Sequence, residues 1–326
     1  MSSLFSLFGK EKGKSEKEQT VLLLDVENAS VGSALVQLAP GQAPRLFAEK
    51  RLSLPVQQRL SSARMAREVE RAAHEVLVHA RTASGISNTA VFFGAPWVAP
   101  SWGVGKQDKI AWDFEPHVQK SIRGLVGDMP VSFHAFGAAA AHAVDAAFEH
   151  DPAFLLCVVT GEVVEILYIY ENAVIARATV PFGSHTILRT LSTHAGVPLH
   201  AARSALSLID TTPGHVHPGP EWLHEPLSVS ATHFADDFAD VARALYAGNL
   251  PDDASFAHSV LVVAPEPLGE LFASVLANSE QVAALFPEGG TVRALRAHHL
   301  VSHASAHAAV PDLHFMVEAL FANKVF

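Results

Sequence analysis

The order strand, turn, strand, turn, strand occurs twice in this chain, and each time helices alternating with further strands follow it. The first copy opens with "TVLLLDVENASVGSALVQLAP", an apolar strand over 21–26, a polar turn from Glu27 to Ala29 and a second strand over 31–38, with residues 44–54 as the third strand. The second copy is "FLLCVVTGEVVEILYIYENAVIARATVPFG", with turns at Thr160-Gly161-Glu162 and Glu171-Asn172. A recurring unit of this size signals duplication, and strands interleaved with helices confine the chain to the α/β class. At 326 residues the chain also exceeds the ~250–300 at which a single core stops growing. Two lobes are therefore expected, 20–150 and 151–326, each a mixed sheet led by a β-hairpin and flanked by helices.

Between the copies, "SSARMAREVERAAHEVLVHARTA" places Met65, Val69, Ala72, Val76 and Val78 or Ala80 along one helical face, and "NTAVFFGAP" reads as a strand. Residues 97–134 hold three of the four tryptophans, Trp97, Trp102 and Trp112, with Pro, Gly and one helix near 115–126. This stretch reads as an inserted subdomain, whose tryptophans either line a partner groove or anchor a small core. The Ala-rich "GAAAAHAVDAAFEH" suits a helix lying close to a sheet. After the second copy come helices in "SHTILRTLSTHAGVPLHAARSAL", an irregular connection over 210–232 and a helix over 233–247. A strand, turn and helix in "HSVLVVAPEPLGELFASVLANS" and a closing amphipathic helix in "PDLHFMVEALFANKVF" complete the chain.

Residues 1–19 are different in kind: two Leu-Phe pairs, then a Lys/Glu stretch too polar to bury. They read as a flexible arm, either a plain leader or a hook in which Leu4, Phe5, Leu7 and Phe8 touch a membrane or a partner. The net charge of −10, with no basic face, argues against nucleic acid as a partner. The single cysteine, Cys157, excludes an intramolecular disulfide and sits in an apolar strand as a buried, inert thiol, consistent with a reducing compartment. No apolar run of about 18 residues and no secretory leader pattern is present, so a cytoplasmic protein is expected.

Four stretches, in this order and at this spacing, resemble the actin-like ATPase superfamily, and within it the branch of the division protein FtsA and the pilus assembly protein PilM. "LLLDVENASVGSALVQL" looks like the first phosphate hairpin and "FGAAAAHAVDAAF" like the helix before the second lobe. "CVVTGEVVEILYIYENAVIARATVPFGSHTI" looks like the second phosphate hairpin with the glycine turn into a helix, and "SVLVVAPEPLGELF" like the adenosine turn. The resemblance implies a two-lobed, ribonuclease H-like fold with a nucleotide cleft built from Asp25, Asn28, Ser30, Gly161 and Gly183.

The residues that carry phosphate chemistry in that superfamily are largely replaced. Glu27 stands where the first hairpin has glycine. Val158 stands in place of the carboxylate that orients the metal, and Val163 and Val164 in place of threonines. Ala264-Pro265-Glu266-Pro267 replaces the glycine pair beside adenine. Phosphate cradles need unobstructed N–H groups and a carboxylate for hydrated Mg²⁺, and Glu27 and Glu162 near the path would each oppose a polyanion by ~1–4 kcal/mol. The expectation is a scaffold without a cofactor, with weak Mg-ATP binding as the residual alternative. An ATPase or small-molecule kinase is the enzyme alternative. By resemblance, the expected partner is a short cytoplasmic tail of an inner-membrane assembly protein, as in type IV pilus biogenesis or secretion, with self-association as a further option.

Other chemistry finds less support. His299, His303 and His307 recur every four residues and would share a face if helical, but they lack a neighbouring carboxylate until Asp312, so no metal is expected there. His215 and His217 read as loop residues, and no nucleophile motif is present.

Overall fold

The computed structural model describes residues 18–83, 85–101, 111–212, 215–217, 220–249, 257–265 and 268–326. The hook residues Leu4, Phe5, Leu7 and Phe8, and Trp102, lie outside these. The first sheet contains β1 (Gln19–Val26), β2 (Ser30–Leu38) and β3 (Arg45–Ser53), followed after α1 (Ser62–Ala80) by β4 (Ile86–Phe93). β5 (Val98–Ser101) and β6 (Ala111–Phe114) form a separate hairpin, α2 (Pro116–Val126) follows, and β7 (Val131–Ala135) returns to the sheet. The described part of the tryptophan-bearing stretch is thus a hairpin and a helix, and its last residues belong to a sheet edge.

The second half begins after α3 (Phe136–Ala147) with β8 (Ala153–Val159), β9 (Val164–Tyr170) and β10 (Ala173–Val180), then α4 (Ser184–Ala195) and α5 (Leu199–Leu206). A short hairpin of β11 (Asp210–Thr212) and β12 (His215–His217) leads to α6 (His224–Asn249). β13 (Ser259–Val263), α7 (Leu268–Ala277), α8 (Glu280–Ala283), β14 (Thr291–Ala294), α9 (Ala297–Leu300), β15 (Ser305–Ala306) and α10 (Leu313–Val325) complete the chain.

Duplication is visible in the strand orders, β15-β3-β2-β1-β4-β7 and β10-β9-β8-β13-β14. In each, three antiparallel strands continue into parallel ones. The core is layered. α1 and α2 cover the outer face of the first sheet, where Val69, Ala72, Val76, Val118 and Ile122 meet Leu22 and Leu24. α4 to α7 cover the outer face of the second. Between the sheets, α3 and α10 share one apolar cluster with Val21 and Phe92 on one side and Phe154, Leu167 and Leu261 on the other. α3 can lie this close because it is Ala-rich: a Cβ on Gly137 would come within 2.7 Å of Leu167 Cδ1.

Three expectations are corrected. α10 is not amphipathic: Leu313 to Leu320 are all buried, because the helix has a sheet on each side. α6 begins at His224, nine residues before the expected start, since Pro226 falls in its first turn, where a missing N–H costs nothing. The irregular 210–232 stretch also contains the β11–β12 hairpin. Among the described residues no helix is long and apolar enough to cross a membrane.

Candidate functional site

The two hairpin turns meet. Residues 27–29 join β1 to β2, with the Glu27 N–H donating to the Ser30 carbonyl at 3.0 Å. Residues 160–163 join β8 to β9, with the Thr160 N–H donating to the Val163 carbonyl at 3.0 Å. Asn28 reaches across between them. Its Oδ1 accepts from the N–H of Gly161 at 2.6 Å and of Glu162 at 3.1 Å, and its Nδ2 donates to the Ala95 carbonyl at 3.1 Å. Behind this turn, Ser184 and His185 at the start of α4 donate to the carbonyls of Thr160 at 3.0 Å and Gly161 at 2.8 Å. The N–H groups that would face an anion at a glycine turn and at a helix start therefore already have protein acceptors.

Glycine is required at these contacts for space. A Cβ on Gly161 would lie 2.7 Å from Asn28 Oδ1 and 2.8 Å from Ala29 Cβ, and one on Gly183 would lie 2.4 Å from the Gly161 carbonyl oxygen. Asn28→Ala leaves two buried donors unpaired, at ~1–3 kcal/mol for such a loss. We expect equilibrium urea unfolding to show a fall in that range with an unchanged denaturant slope.

Beneath the first turn lies a buried charge network. Asp25, Glu27 and Glu318 are fully buried and His314 is 2% exposed. Arg51 of β3 donates through Nη1 to Asp25 Oδ2 at 2.6 Å and to Ser30 Oγ at 2.9 Å, and holds Asp312 through Nε at 2.6 Å and Nη2 at 3.1 Å. Asp312 is also the N-cap of α10, accepting from the N–H of His314 at 2.9 Å. Gly32 admits this arrangement, since a Cβ there would strike Phe315 Cζ at 2.6 Å, and Arg51 stacks over the Phe315 ring at 4.7 Å.

Burial pushes the Asp25 and Asp312 carboxyls up, but the Arg51 guanidinium beside both, together with His314, holds them below their ordinary values. Burial alone would lower His314, yet Glu27 and Asp25 next to it raise it to about 10. Burial, reinforced by the field of Asp25, holds the Glu318 carboxyl well above its ordinary value.

The expectation that Glu162 confronts an incoming anion is corrected. Its carboxylate turns away from the turn onto α4, accepting from Arg189 Nη2 at 2.7 Å and Nη1 at 3.0 Å, with His185 Nδ1 at 3.1 Å. Burial raises the Glu162 carboxyl, but the hydrogen bonds from His185 and Arg189 bring it below its usual value. Glu27 likewise pairs with His314 Nδ1, at 2.8 Å. Glu165 is buried on β9 against Arg177, whose Nη2 also donates to the Val98 carbonyl at 3.0 Å. Cys157 is fully buried, which pushes its thiol up.

Of the residues singled out from the sequence, Asn28, Gly161 and Gly183 meet at the turn junction, and Asp25 and Ser30 share Arg51 one step below. Trp97 is buried in the outer core of the first sheet and Trp112 packs at the same cluster, so the described pair anchors a core. The histidine run does not share a helical face: α9 ends at Leu300, leaving His303 and His307 exposed beyond it. Arg51, His314, Glu318 and Asp312 were missed. The available signal was the i, i+4 pair of His314 and Glu318 inside an apolar helix.

These side chains do not fit a Mg-nucleotide. Asn28 fills the glycine cradle, Val158 is fully buried where a metal-orienting carboxylate would stand, and Glu27 is sealed against His314.

No family model and no curated protein matches this chain. Among solved structures, the chain is similar to the ethanolamine utilization protein EutJ from Carboxydothermus hydrogenoformans, at 14% identity over 93% of this chain and 90% of that one, with a TM-score of 0.57. It is similar to a chain of the PilM-PilN type IV pilus biogenesis complex at 13% identity, over 94% and 96% of the two chains, with a TM-score of 0.57. MreB 5 of Spiroplasma citri bound to AMPPNP follows at 10% identity, over 94% and 97%, with a TM-score of 0.54. At these identities the likeness is one of fold: the chain has the actin-like ATPase fold, in a two-sheet arrangement.

Proposed function

We propose that this protein is an actin-like scaffold that works without nucleotide turnover, as an adaptor at the cytoplasmic face of an inner-membrane assembly. The observation that carries the reading is the Asn28 bridge: the side chain of one hairpin turn occupies the N–H groups of the other. Two lobes, 20–150 and 151–326, tied by an internal hydrogen bond need no ligand to hold them together. A scaffold has that requirement, and an ATPase that opens and closes around its substrate does not.

The likeness to the pilus complex favours type IV pilus biogenesis or related secretion, and that complex joins two proteins, PilM and PilN. The partner in this reading is a short tail of a membrane protein, docked as an extended peptide on the first lobe. The Leu4, Phe5, Leu7 and Phe8 arm supplies a peripheral membrane contact. Fold likeness is a general warrant, so the assembly is assigned by experiment.

Thermal unfolding with and without millimolar Mg-ATP tests the nucleotide half. A ligand at ~100 times its Kd would add about 2.7 kcal/mol; the expected result is no rise in the midpoint, and a Mg-dependent rise would restore the ATPase reading. In-cell crosslinking with mass spectrometry tests the partner half. Recovery of an inner-membrane pilus or secretion component is expected, and a survey that yields only cytosolic partners would remove the proposal.

A further inference from the structure

We infer that Asp25, Glu27 and His314 form a buried site for one divalent transition-metal ion, best suited to Zn²⁺, with Glu318 one helical turn away on α10. One ligand atom from each of the first three lies within 4.8 Å of the others, the only such convergence of His, Cys, Asp and Glu among the described residues. All three side chains are at most 2% exposed.

Three observations point to an ion at this cluster. First, the groups crowd together with polar atoms left over. His314 Nδ1 lies 2.8 Å from Glu27 Oε1 and 3.4 Å from Asp25 Oδ2, while His314 Nε2, Glu27 Oε2 and Asp25 Oδ1 have no hydrogen-bond partner. Buried polar groups are nearly always satisfied, so three orphan atoms on three touching side chains require an explanation. Second, Glu318 stands one helical turn beyond His314 on the same face of α10, fully buried, with both oxygens unbonded. Third, the carboxylates of Asp25, Glu27 and Asp312 outnumber their cationic partners by one even with His314 protonated beside Arg51. A divalent ion beside neutral imidazole closes that balance, since two positive charges plus Arg51 match three carboxylates.

The donor set selects the ion. One imidazole nitrogen and two carboxylates, with a carboxyl group or water completing four, is a tetrahedral zinc arrangement. Mg²⁺ and Ca²⁺ require six or more oxygens. Arg51, Pro265, Asp312 and His314 line a cavity of about 310 Å³ beside the cluster. Bound there, the ion would tie the first hairpin to the last helix.

Elemental analysis and zinc titration of the untagged, full-length protein test the site. The expected result is one equivalent of zinc per chain, lost to a chelator and recovered on adding zinc sulfate. Glu27→Gln and Glu318→Gln should each weaken binding by about tenfold or more, whereas His298→Ala with His303→Ala should leave the equivalent in place. Absence of stoichiometric zinc, or its loss in the histidine pair with retention in Glu27→Gln, would overturn the assignment. If the Gln variants do not fold, X-ray absorption on the wild-type zinc form decides. A shell of one nitrogen and two or three oxygens at ~2.0–2.2 Å is expected, and a shell dominated by imidazole nitrogens overturns it.

Discussion

Replacing Arg51 by alanine lowers the unfolding free energy by about 3–5 kcal/mol, because it strands two carboxylates that have no other cationic partner of fixed charge. Asp25 is fully buried, so water cannot take over the role of the guanidinium. Asp312 would lose both of its Arg51 bonds while it caps α10, weakening the entry of the chain into the helix between the sheets. With an unfolding entropy of ~2.1 cal/mol/K per residue, the midpoint of cooperative melting falls by roughly 4–7 °C. Calorimetry in the presence of chelator is the measurement, so that a bound cation does not mask the loss. Arg51→Lys should recover only part of it, since an ammonium cannot span Asp25 and Asp312 with a planar fork. A loss below ~1 kcal/mol would put this bridge among ordinary surface pairs and would mean that the charge network does not hold the first hairpin to α10.

The paired sheets were legible because local signals agreed. The strand expected over 21–26 is β1 (Gln19–Val26), and that over 31–38 is β2 (Ser30–Leu38): apolar runs bounded by polar turns leave few alternatives. The junction of the hairpin turns was legible as a place but not as a mechanism. Asn28, Gly161 and Gly183 were marked as remnants of a phosphate site. That Asn28 itself satisfies the opposite turn depends on a contact between residues 133 positions apart. Arg51 was passed over for the same reason, as its partner Asp312 is 261 positions away. A charge in an edge-like segment such as "FAEKRLSL" reads locally as solvated. α10 is expected to be amphipathic, yet its polar residues His314 and Glu318 are buried with the apolar ones. They point instead into a charge network that only the first strand completes.

Gly183→Ala should be the most damaging glycine-to-alanine change among the described residues, at ~3 kcal/mol or more. Its φ of −167° is extended backbone open to any residue, so the cost is one of space. The new Cβ would sit 2.4 Å from the Gly161 oxygen, 2.6 Å from the Gly161 carbonyl carbon and 2.6 Å from the Thr160 oxygen. All three are backbone atoms, which cannot swing aside as a side-chain tip can. Their turn is also pinned from both sides, since its carbonyls accept from Ser184 and His185 and its N–H groups donate to Asn28. Overpacking costs ~1–3 kcal/mol, and each hydrogen bond lost as the turn retreats adds about 1 kcal/mol. Gly124→Ala provides the opposite sign: it lies inside α2 with nothing within 4 Å of the added carbon, and should stabilise by ~0.4–1 kcal/mol. Urea unfolding of the two variants side by side separates a locked junction from a general intolerance of glycine replacement. If Gly183→Ala unfolds within 1 kcal/mol of the wild type, the second turn is free to move. Asn28 would then be a removable plug, and a phosphate could compete for the N–H groups it now holds.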